Sequence, residues 1–129
     1  MLIIGISGPS GSGKDLSADY LSKLLDIDHV SGGDVLRSML RSLNLSPAKD
    51  KLLNFGIFIR KHYGPEVIYE RVSELATNNN GVIWSGFRSP SEAQVIKNHG
   101  GYIFYVDAPM DLIHQRIKNR QRDGDNFEK

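Results

Sequence analysis

A glycine-rich turn that ends in lysine lies near the start of the chain, between an apolar run and a helical pattern. The apolar run covers residues 2–6, and apolar positions at helical spacing follow over residues 14–25. Glycines let the backbone curl so that successive N–H groups point at one place, and the following helix N-terminus and the lysine add positive charge there. The sequence therefore predicts a phosphate-binding loop. The residues expected to hold the phosphates are Gly8, Ser10, Gly11, Ser12, Gly13, Lys14 and Asp15.

The spacing of this turn matches the pattern G-x-x-x-x-G-K-[ST] from Gly8 to Lys14 and departs from it at Asp15. A glycine-rich hairpin or a plain strand-to-helix turn could carry the same residues, but the strand before the turn and the helix after it favour a phosphate loop. A dinucleotide-binding G-x-G-x-x-G is excluded because Leu16 occupies the position of the third glycine.

Length and composition narrow the class of protein. The 129 residues predict one domain, residues 1–129. A net charge of +1 argues against a nucleic-acid partner, and the absence of Cys excludes disulfides and thiolate metal sites. No apolar run approaches the roughly 20 residues of a membrane span, and residues 2–6 are predicted as a core strand rather than a signal peptide. We therefore expect a soluble, cytoplasmic protein without a membrane partner, as a monomer or weak dimer.

Four segments with a strand pattern alternate with helical patterns along the chain, and the second of them is short and only weakly marked. Strands are predicted at residues 2–6, 27–31, 82–84 and 102–106. The first of them is apolar throughout, as expected for a central strand buried on both faces. Helices are predicted at residues 14–25, after Asp34, after Pro47, from Pro65 to about 77, at 89–98 and from Pro109 to about 122. This alternation favours an α/β, three-layer fold with a parallel sheet and right-handed crossovers.

Local patterns give further expectations. Asp34 is predicted to cap the second helix, whose inward residues would include Leu43. Residues 34–77 are almost entirely helical, which indicates an insertion rather than a single crossover, and we expect a mobile flap over the site. The first helix is expected to carry one apolar face, formed by Leu16, Tyr20, Leu21, Leu24 and Leu25.

Stretches at residues 13–21, 33–37, 86–92 and 106–109 carry a resemblance to a known family. The Gly-Lys-Asp-Leu-Ser-Ala-Asp-Tyr-Leu run at 13–21 is similar to the phosphate loop of phage deoxynucleoside monophosphate kinases, which also place Asp after the lysine. Gly-Asp-Val-Leu-Arg at 33–37 is similar to the Gly-Asp-Leu-Leu-Arg of adenylate kinase and its relatives. The chain thus resembles the P-loop nucleoside monophosphate kinases, in particular small archaeal adenylate-kinase-like and dephospho-CoA-kinase-like proteins.

The resemblance implies ATP as the phosphoryl donor, Mg²⁺ as its metal and a nucleoside or deoxynucleoside monophosphate as the acceptor. It implies that Arg37 binds the acceptor phosphate and that Asp34 orders the water around Mg²⁺. Arg88 follows the third strand, at the sheet edge where ligands collect, and is a second acceptor-binding candidate. Arg60 is a third. Each arginine could instead lie on a solvated helix face, and Asp34 could be a cap alone.

Arg116 and Arg120 are four residues apart and share one face of the last helix, and Arg122 follows them. In the family this face closes over ATP. The resemblance therefore implies that a lid begins at about residue 116 and that Lys14 and these arginines neutralise the transferring phosphoryl group. A basic, solvated helix end is the alternative, because the helix dipole favours one.

Two positions depart from the family pattern. Asp15 replaces the Ser or Thr that holds Mg²⁺, and Ser85 stands where the third strand normally ends in an acid. We hypothesise that carboxylate and hydroxyl have exchanged places, so that Asp15 and Ser85 both serve the metal, directly or through water. A carboxylate about 5 Å from a phosphate charge costs on the order of 3 kcal/mol at an effective dielectric of about 20, which favours a cation between them. Alternatively, Asp15 only complements the helix dipole.

The four histidines, His29, His62, His99 and His114, lack ligand spacing and are expected at the surface or in turns. A phosphate acceptor needs no general base, because its oxygen is a competent nucleophile once positioned. The family has a fifth strand after the lid, and none is visible before Lys129. We therefore expect either a fragment or a reduced, four-stranded form, with an open sheet edge that could pair with another chain.

Transfer of the ATP γ-phosphoryl group to a nucleoside or deoxynucleoside monophosphate is the first hypothesis. A dephospho-CoA kinase or other small-molecule hydroxyl kinase is the second, and it would need a general base, for which Asp34 is the candidate. A nucleotide-binding regulatory module or slow ATPase is the third. All three require a small-molecule nucleotide as partner.

Overall fold

A parallel sheet in the order β2-β3-β1-β4 organises the computed structural model, which describes residues 1–77, 80–87 and 89–120. β1 pairs with β3 on one side and β4 on the other, and β2 pairs with β3. This confirms the predicted α/β fold with a central first strand. The elements described are β1 Leu2–Ser7, α1 Lys14–Leu25, β2 Asp28–Ser31, α2 Gly32–Ser42, α3 Lys49–Tyr63, α4 Pro65–Leu75, β3 Gly81–Ser85, α5 Pro90–Asn98, β4 Tyr102–Tyr105 and α6 Met110–Arg120.

The two faces of the sheet are covered by different helices, because side chains alternate along each strand. Ile4, Ile6 and Ile83 point to one face, where they pack with Ala18 of α1. The opposite face carries the larger core, in which strand residues pack against α2, α4 and α5. The buried residues of that larger core include Ile3, Val82, Trp84, Val35, Ile68, Val72, Val95 and Ile96. The fold therefore has three layers, as expected.

The helices between β2 and β3 divide into two parts. α4 packs directly on the core through Ile68 and Val72, which are fully buried. α2 and α3 instead share a small apolar cluster of their own, formed by Leu36, Leu40 and Leu52. α3 ends at Tyr63, and Pro65 opens α4 at its first turn, so the Gly64-Pro65 break lies where the sequence predicts it. The small cluster places α2 and α3 as a pair beside the phosphate loop.

Three local expectations were wrong. Of the predicted apolar face of α1 only Leu21 packs against the core, whereas the other four residues are exposed, with Leu16 at 76% and Tyr20 at 68%. The fully buried residue of the helix is the small Ala18. Leu43 lies after the end of α2 and is exposed, because that helix stops at Ser42. The second helix begins earlier than expected, so Ser31 is its N-cap and Asp34 is the third residue of its first turn.

Among the described residues, none of the helices is both long enough and apolar enough to cross a bilayer.

Candidate phosphate-binding site

The glycine-rich turn connects the carboxyl end of β1 to the N-terminus of α1. Gly13 is the N-cap of α1 and adopts a left-handed conformation, φ 97°, with no side-chain hydrogen bond closing the helix end. The N–H groups of the first turn therefore have no intrahelical acceptor and no capping side chain, which is the arrangement that binds anions. Ser12 N–H donates to the Pro9 carbonyl oxygen at 3.1 Å and so holds the turn closed.

Two adjoining cavities lie at this turn. The larger, of about 380 Å³, extends from Lys14 and Asp15 to α2, α3 and the end of β3. The smaller, of about 130 Å³, lies over Gly8 and Ser10, and Lys14 lines both. The structure thus leaves room for a ligand beside the predicted loop and places Lys14 at the junction. The side chains of the larger cavity combine cations with apolar groups: Lys14, Arg37, Lys49 and Arg60 with Leu36, Leu52, Leu53 and Ile57.

Only part of the predicted loop lines these two cavities. Gly8, Ser10, Lys14 and Asp15 do, whereas Gly11, Ser12 and Gly13 shape the turn behind them. The Ser12 hydroxyl is buried and has no hydrogen-bond partner among the described residues. The loop therefore divides into a surface that faces the cavities and a scaffold that holds it.

α6 packs over the scaffold side of the loop. Ile113 and Ile117 are buried there, and a Cβ on Gly11 would lie 3.0 Å from the Ile113 carbonyl oxygen. Arg116 Nη1 donates to the Gly11 carbonyl oxygen at 3.0 Å. The structure therefore brings the predicted lid residue Arg116 onto the phosphate loop. Arg122 and the side chain of Arg120 lie outside the described residues.

Asp34 and Arg37 form an ion pair one turn apart on α2, with Arg37 Nη2 2.7 Å from Asp34 Oδ1. The other carboxylate oxygen of Asp34 accepts from Ser31 N–H, and the Ser31 hydroxyl accepts from Asp34 N–H, which completes a capping box. Partial burial of the carboxyl raises its pKa, but the hydrogen bonds from Arg37 and Ser31 outweigh burial and hold the pKa of Asp34 below its usual value. Arg37 lines the larger cavity and is held in place by Asp34.

Arg60 also lines the larger cavity, and it forms an ion pair that connects α3 to α5. Its Nε donates to Glu92 Oε1 at 2.8 Å, and Glu92, on α5, is fully buried. The Ser89 hydroxyl donates to the same oxygen at 3.1 Å. Arg60 is therefore an anchor between α3 and α5 as well as a cation at the cavity wall. Arg88, the second predicted acceptor residue, lies outside the described residues.

Asp15 and Ser85 line the larger cavity together, with Ser85 Oγ 3.4 Å from Asp15 Oδ1. Their donor set suits Mg²⁺, which prefers oxygen ligands and usually takes one or two from the protein, leaving the rest to phosphates and water. Among the described residues no three or more His, Cys, Asp or Glu side chains cluster in a way that could hold a metal ion. The residues present therefore fit magnesium bound with a nucleotide.

Sequence reasoning missed three residues here: Lys49, His29 and Asp19. Lys49 lines the cavity, but it belongs to no motif. His29 was expected at the surface or in a turn, yet its side chain is only 15% exposed and joins Asp19 to Ser85. The one sequence signal for this group is the spacing of Asp15 and Asp19, which are four residues apart and share a helix face. No local sequence pattern marks His29, because its contacts with Asp19 and Ser85 arise only once β2 is placed beside β3 and under α1.

The chain matches one protein-family model and is similar to proteins named as nucleotide kinases. A family model described as AAA domain (AAA_17) matches residues 7–129. The "Cytidylate kinase" of Halorubrum lacusprofundi is 30% identical over 123 residues, which cover 93% of this chain and 59% of that protein. The "Adenylate kinase" of Chlamydia pneumoniae is 29% identical over 89% of this chain and 57% of its own length. The chain thus spans less than two thirds of the length of these relatives.

Solved structures agree on the fold. The crystal structure of shikimate kinase from Bacteroides thetaiotaomicron superposes with a TM-score of 0.58 over 98% of this chain and 70% of the other, at 16% sequence identity. At that identity the likeness concerns the arrangement of strands and helices, a P-loop α/β fold.

Proposed function

Because this chain belongs to the AAA domain family AAA_17, we propose that it is a P-loop kinase that transfers the ATP γ-phosphoryl group to a nucleoside or deoxynucleoside monophosphate. One observation carries the proposal: the larger cavity joins the phosphate loop to a wall with three further cations, Arg37, Lys49 and Arg60, and an apolar patch. An anionic group attached to a flat, largely apolar base matches such a lining. The volume of about 380 Å³ lies within the range typical of small-molecule sites.

The donor phosphates would lie on the loop. The open N-terminus of α1 supplies backbone N–H groups and a partial positive charge, and Lys14, which lines both cavities, supplies a full charge between donor and acceptor. Mg²⁺ bound with ATP would neutralise charge on the phosphates, and Asp15 and Ser85 would hold it. Without such a cation, Asp15 would oppose the phosphates that the loop attracts.

The acceptor phosphate would be held by Arg37, which can offer two parallel N–H donors to it. Asp34 fixes the position of Arg37 from the first turn of α2. Arg60, anchored by Glu92, and Lys49 line the same cavity and would add further positive charge there. Transfer between two phosphates is largely a matter of positioning and charge neutralisation, which these cations supply.

The relatives named kinases of cytidylate and adenylate support a monophosphate acceptor. A hydroxyl acceptor is less well supported because it needs a general base. The lowered pKa of Asp34 makes that carboxylate a weaker base, and its oxygens already accept from Arg37 and Ser31. Arg116, whose Nη1 now donates to the Gly11 carbonyl oxygen on the loop, would serve the transferring phosphoryl group from α6.

The experiment is an assay of ADP release from MgATP with each common ribo- and deoxyribonucleoside monophosphate, with dephospho-CoA, with shikimate and without acceptor. We expect acceptor-dependent release with at least one monophosphate. Lys14→Met should abolish it, whereas the matched Lys23→Met, on the exposed side of the same helix, should not. Release with dephospho-CoA or shikimate alone would indicate a hydroxyl kinase, and release that no acceptor changes would indicate a slow ATPase or regulatory module.

A further inference from the structure

A series of four side chains runs from the surface of α1 to the larger cavity, and hydrogen bonds join its first three members. Asp19 Oδ1 lies 2.8 Å from His29 Nδ1, and His29 Nε2 lies 2.6 Å from Ser85 Oγ. Ser85 Oγ in turn lies 3.4 Å from Asp15 Oδ1. Only Asp15 and Ser85 of these four line the cavity. Asp19 and His29 therefore lie outside the cavity lining and contact it through Ser85, which the proposed function assigns with Asp15 to the metal.

The donor in each hydrogen bond of the series can be assigned because the ionised carboxylate of Asp19 can only accept. An ionised carboxylate has no proton to give, so His29 must donate from Nδ1 to Asp19. A neutral imidazole carries one N–H, which leaves Nε2 as an acceptor. The Ser85 hydroxyl has a single proton, and the contact to His29 Nε2 at 2.6 Å is far shorter than that to Asp15 at 3.4 Å. When His29 is neutral, Ser85 therefore donates to His29 Nε2 rather than to Asp15.

We propose that Asp19 and His29 are positioning residues that turn the Ser85 hydroxyl proton away from the cavity, so that Ser85 and Asp15 present lone pairs to one cation. With its proton on His29, Ser85 Oγ faces Asp15 as an acceptor facing an acceptor. Two oxygens in that relation repel each other until a cation lies between or beside them. The part of this inference that concerns the cation rests on the proposed function, whereas the direction of the hydroxyl does not.

The fold explains why these residues meet. His29 of β2 is paired in register with Ile83 of β3, so Ser85, two residues further on, points to the same face of the sheet. That face is covered by α1, on which Asp15 and Asp19 are one turn apart. Strand register and helix periodicity thus align two pairs of side chains.

The first experiment reads the tautomer of His29 directly. A long-range ¹H–¹⁵N correlation spectrum of the ¹⁵N-labelled protein, recorded at about pH 8, where an ordinary imidazole is neutral, distinguishes Nδ1–H from Nε2–H. The signal is assigned by its loss in His29→Gln. We expect the Nδ1–H form in the unaltered protein without nucleotide or metal. An Nε2–H form would overturn the inference, because Ser85 could then not donate to His29.

The second experiment tests whether Asp19 acts through Ser85. The Mg²⁺ concentration that gives half-maximal ATP binding is measured for the unaltered protein, Asp19→Asn, Ser85→Ala and the double variant. Asp19→Asn no longer requires the Nδ1–H form, and we expect the Mg²⁺ requirement to rise about 10-fold, as for other partners of metal ligands. In the Ser85→Ala background Asp19→Asn should change the Mg²⁺ requirement less than about twofold, because the hydroxyl through which Asp19 acts is absent.

Glu70→Gln removes a comparable exposed carboxylate on α4 and should leave the Mg²⁺ requirement unchanged. Equal effects of Asp19→Asn in both backgrounds would overturn the inference, since Asp19 would then act without Ser85. ATP binding that is insensitive to Mg²⁺ in the unaltered protein would contradict the metal site of the proposed function instead. The tautomer spectrum would still decide the direction of the Ser85 hydroxyl in that case.

Discussion

The Nε atom of Arg60 lies 2.8 Å from Oε1 of Glu92, whose side chain is fully buried. This ion pair connects α3, at the wall of the larger cavity, to α5, which packs on the sheet. Arg60 is thus one of the residues that fix the position of the cavity wall relative to the phosphate loop.

Arg60→Met should destabilise the protein by about 3 kcal/mol, because the buried Glu92 carboxylate loses this cation. Urea unfolding followed by the fluorescence of Trp84, the single and buried tryptophan, measures the loss. The control is Arg71→Met, which removes an exposed ion pair with Glu74 and should change stability by about 0.5 kcal/mol or less. Similar losses in both variants would contradict a structural role for the buried pair.

Gly11→Ala should cost more stability than Gly100→Ala. Both glycines have positive φ, 82° and 77°, so each substitution carries a similar backbone cost of about 1 kcal/mol. A Cβ at Gly100 meets nothing within 4 Å, whereas one at Gly11 meets the backbone of α6. We expect an additional loss of about 1–3 kcal/mol for Gly11→Ala from this overpacking. Equal losses in urea unfolding would show that α6 does not pack on the loop.

Asp34→Asn should lower stability at neutral pH, and the difference from the unaltered protein should fade in acid. The pKa of Asp34 is lowered in the folded protein, so its contribution is present above the unfolded pKa of about 3.9 and is lost as pH falls through the folded value. Asp34 is more than half exposed, so we expect about 0.5–1 kcal/mol, the size of a cap or surface pair.

Unfolding of Asp34→Asn is compared with that of Asp50→Asn between about pH 2.5 and 7, the range that spans carboxyl titration. Asp50 is also an acid in the first turn of a helix, but no cap hydrogen bond is formed at the start of α3. Its variant should show a smaller, less pH-dependent change. A pH-independent loss in Asp34→Asn would contradict the role of its carboxylate charge.

Asp15→Asn should bind metal-free ATP at least about 10-fold more tightly than the unaltered protein, because a charge near the phosphates is removed. Its gain in affinity on adding Mg²⁺ should be correspondingly smaller. Calorimetric titrations of ATP in EDTA and in excess Mg²⁺ provide the measurement, with Glu70→Gln as the charge control. An unchanged Mg²⁺ dependence in Asp15→Asn would remove Asp15 from the metal site.

Arg37→Gln should raise the KM for the acceptor about 30-fold, because it removes one charge-assisted hydrogen bond to the acceptor phosphate. The KM for ATP should stay unchanged. Arg41→Gln is the matched control, since Arg41 is exposed in the last turn of the same helix. Steady-state rates at varied acceptor and at varied ATP separate the two constants. A rise in both constants, or an equal effect of Arg41→Gln, would contradict acceptor binding by Arg37.

The sequence by itself determined the phosphate loop, the four strands and the parallel α/β fold. These features are local: glycine spacing sets the turn, and apolar runs such as those at residues 2–6 and 82–84 indicate strands buried on both faces. The phosphate-loop pattern and the resemblance of the 33–37 motif predicted Lys14 and Arg37 for one site, and both residues line the larger cavity.

Only the tertiary structure decided which side chains act on one another. The apolar spacing of α1 predicted a buried face, but the helix approaches the sheet through Ala18, where a small side chain allows close packing. Arg60 and Glu92 are 32 residues apart, and His29 and Ser85 are 56 apart. Such contacts depend on strand order, register and the distance between layers, and no local pattern in the sequence carries those quantities.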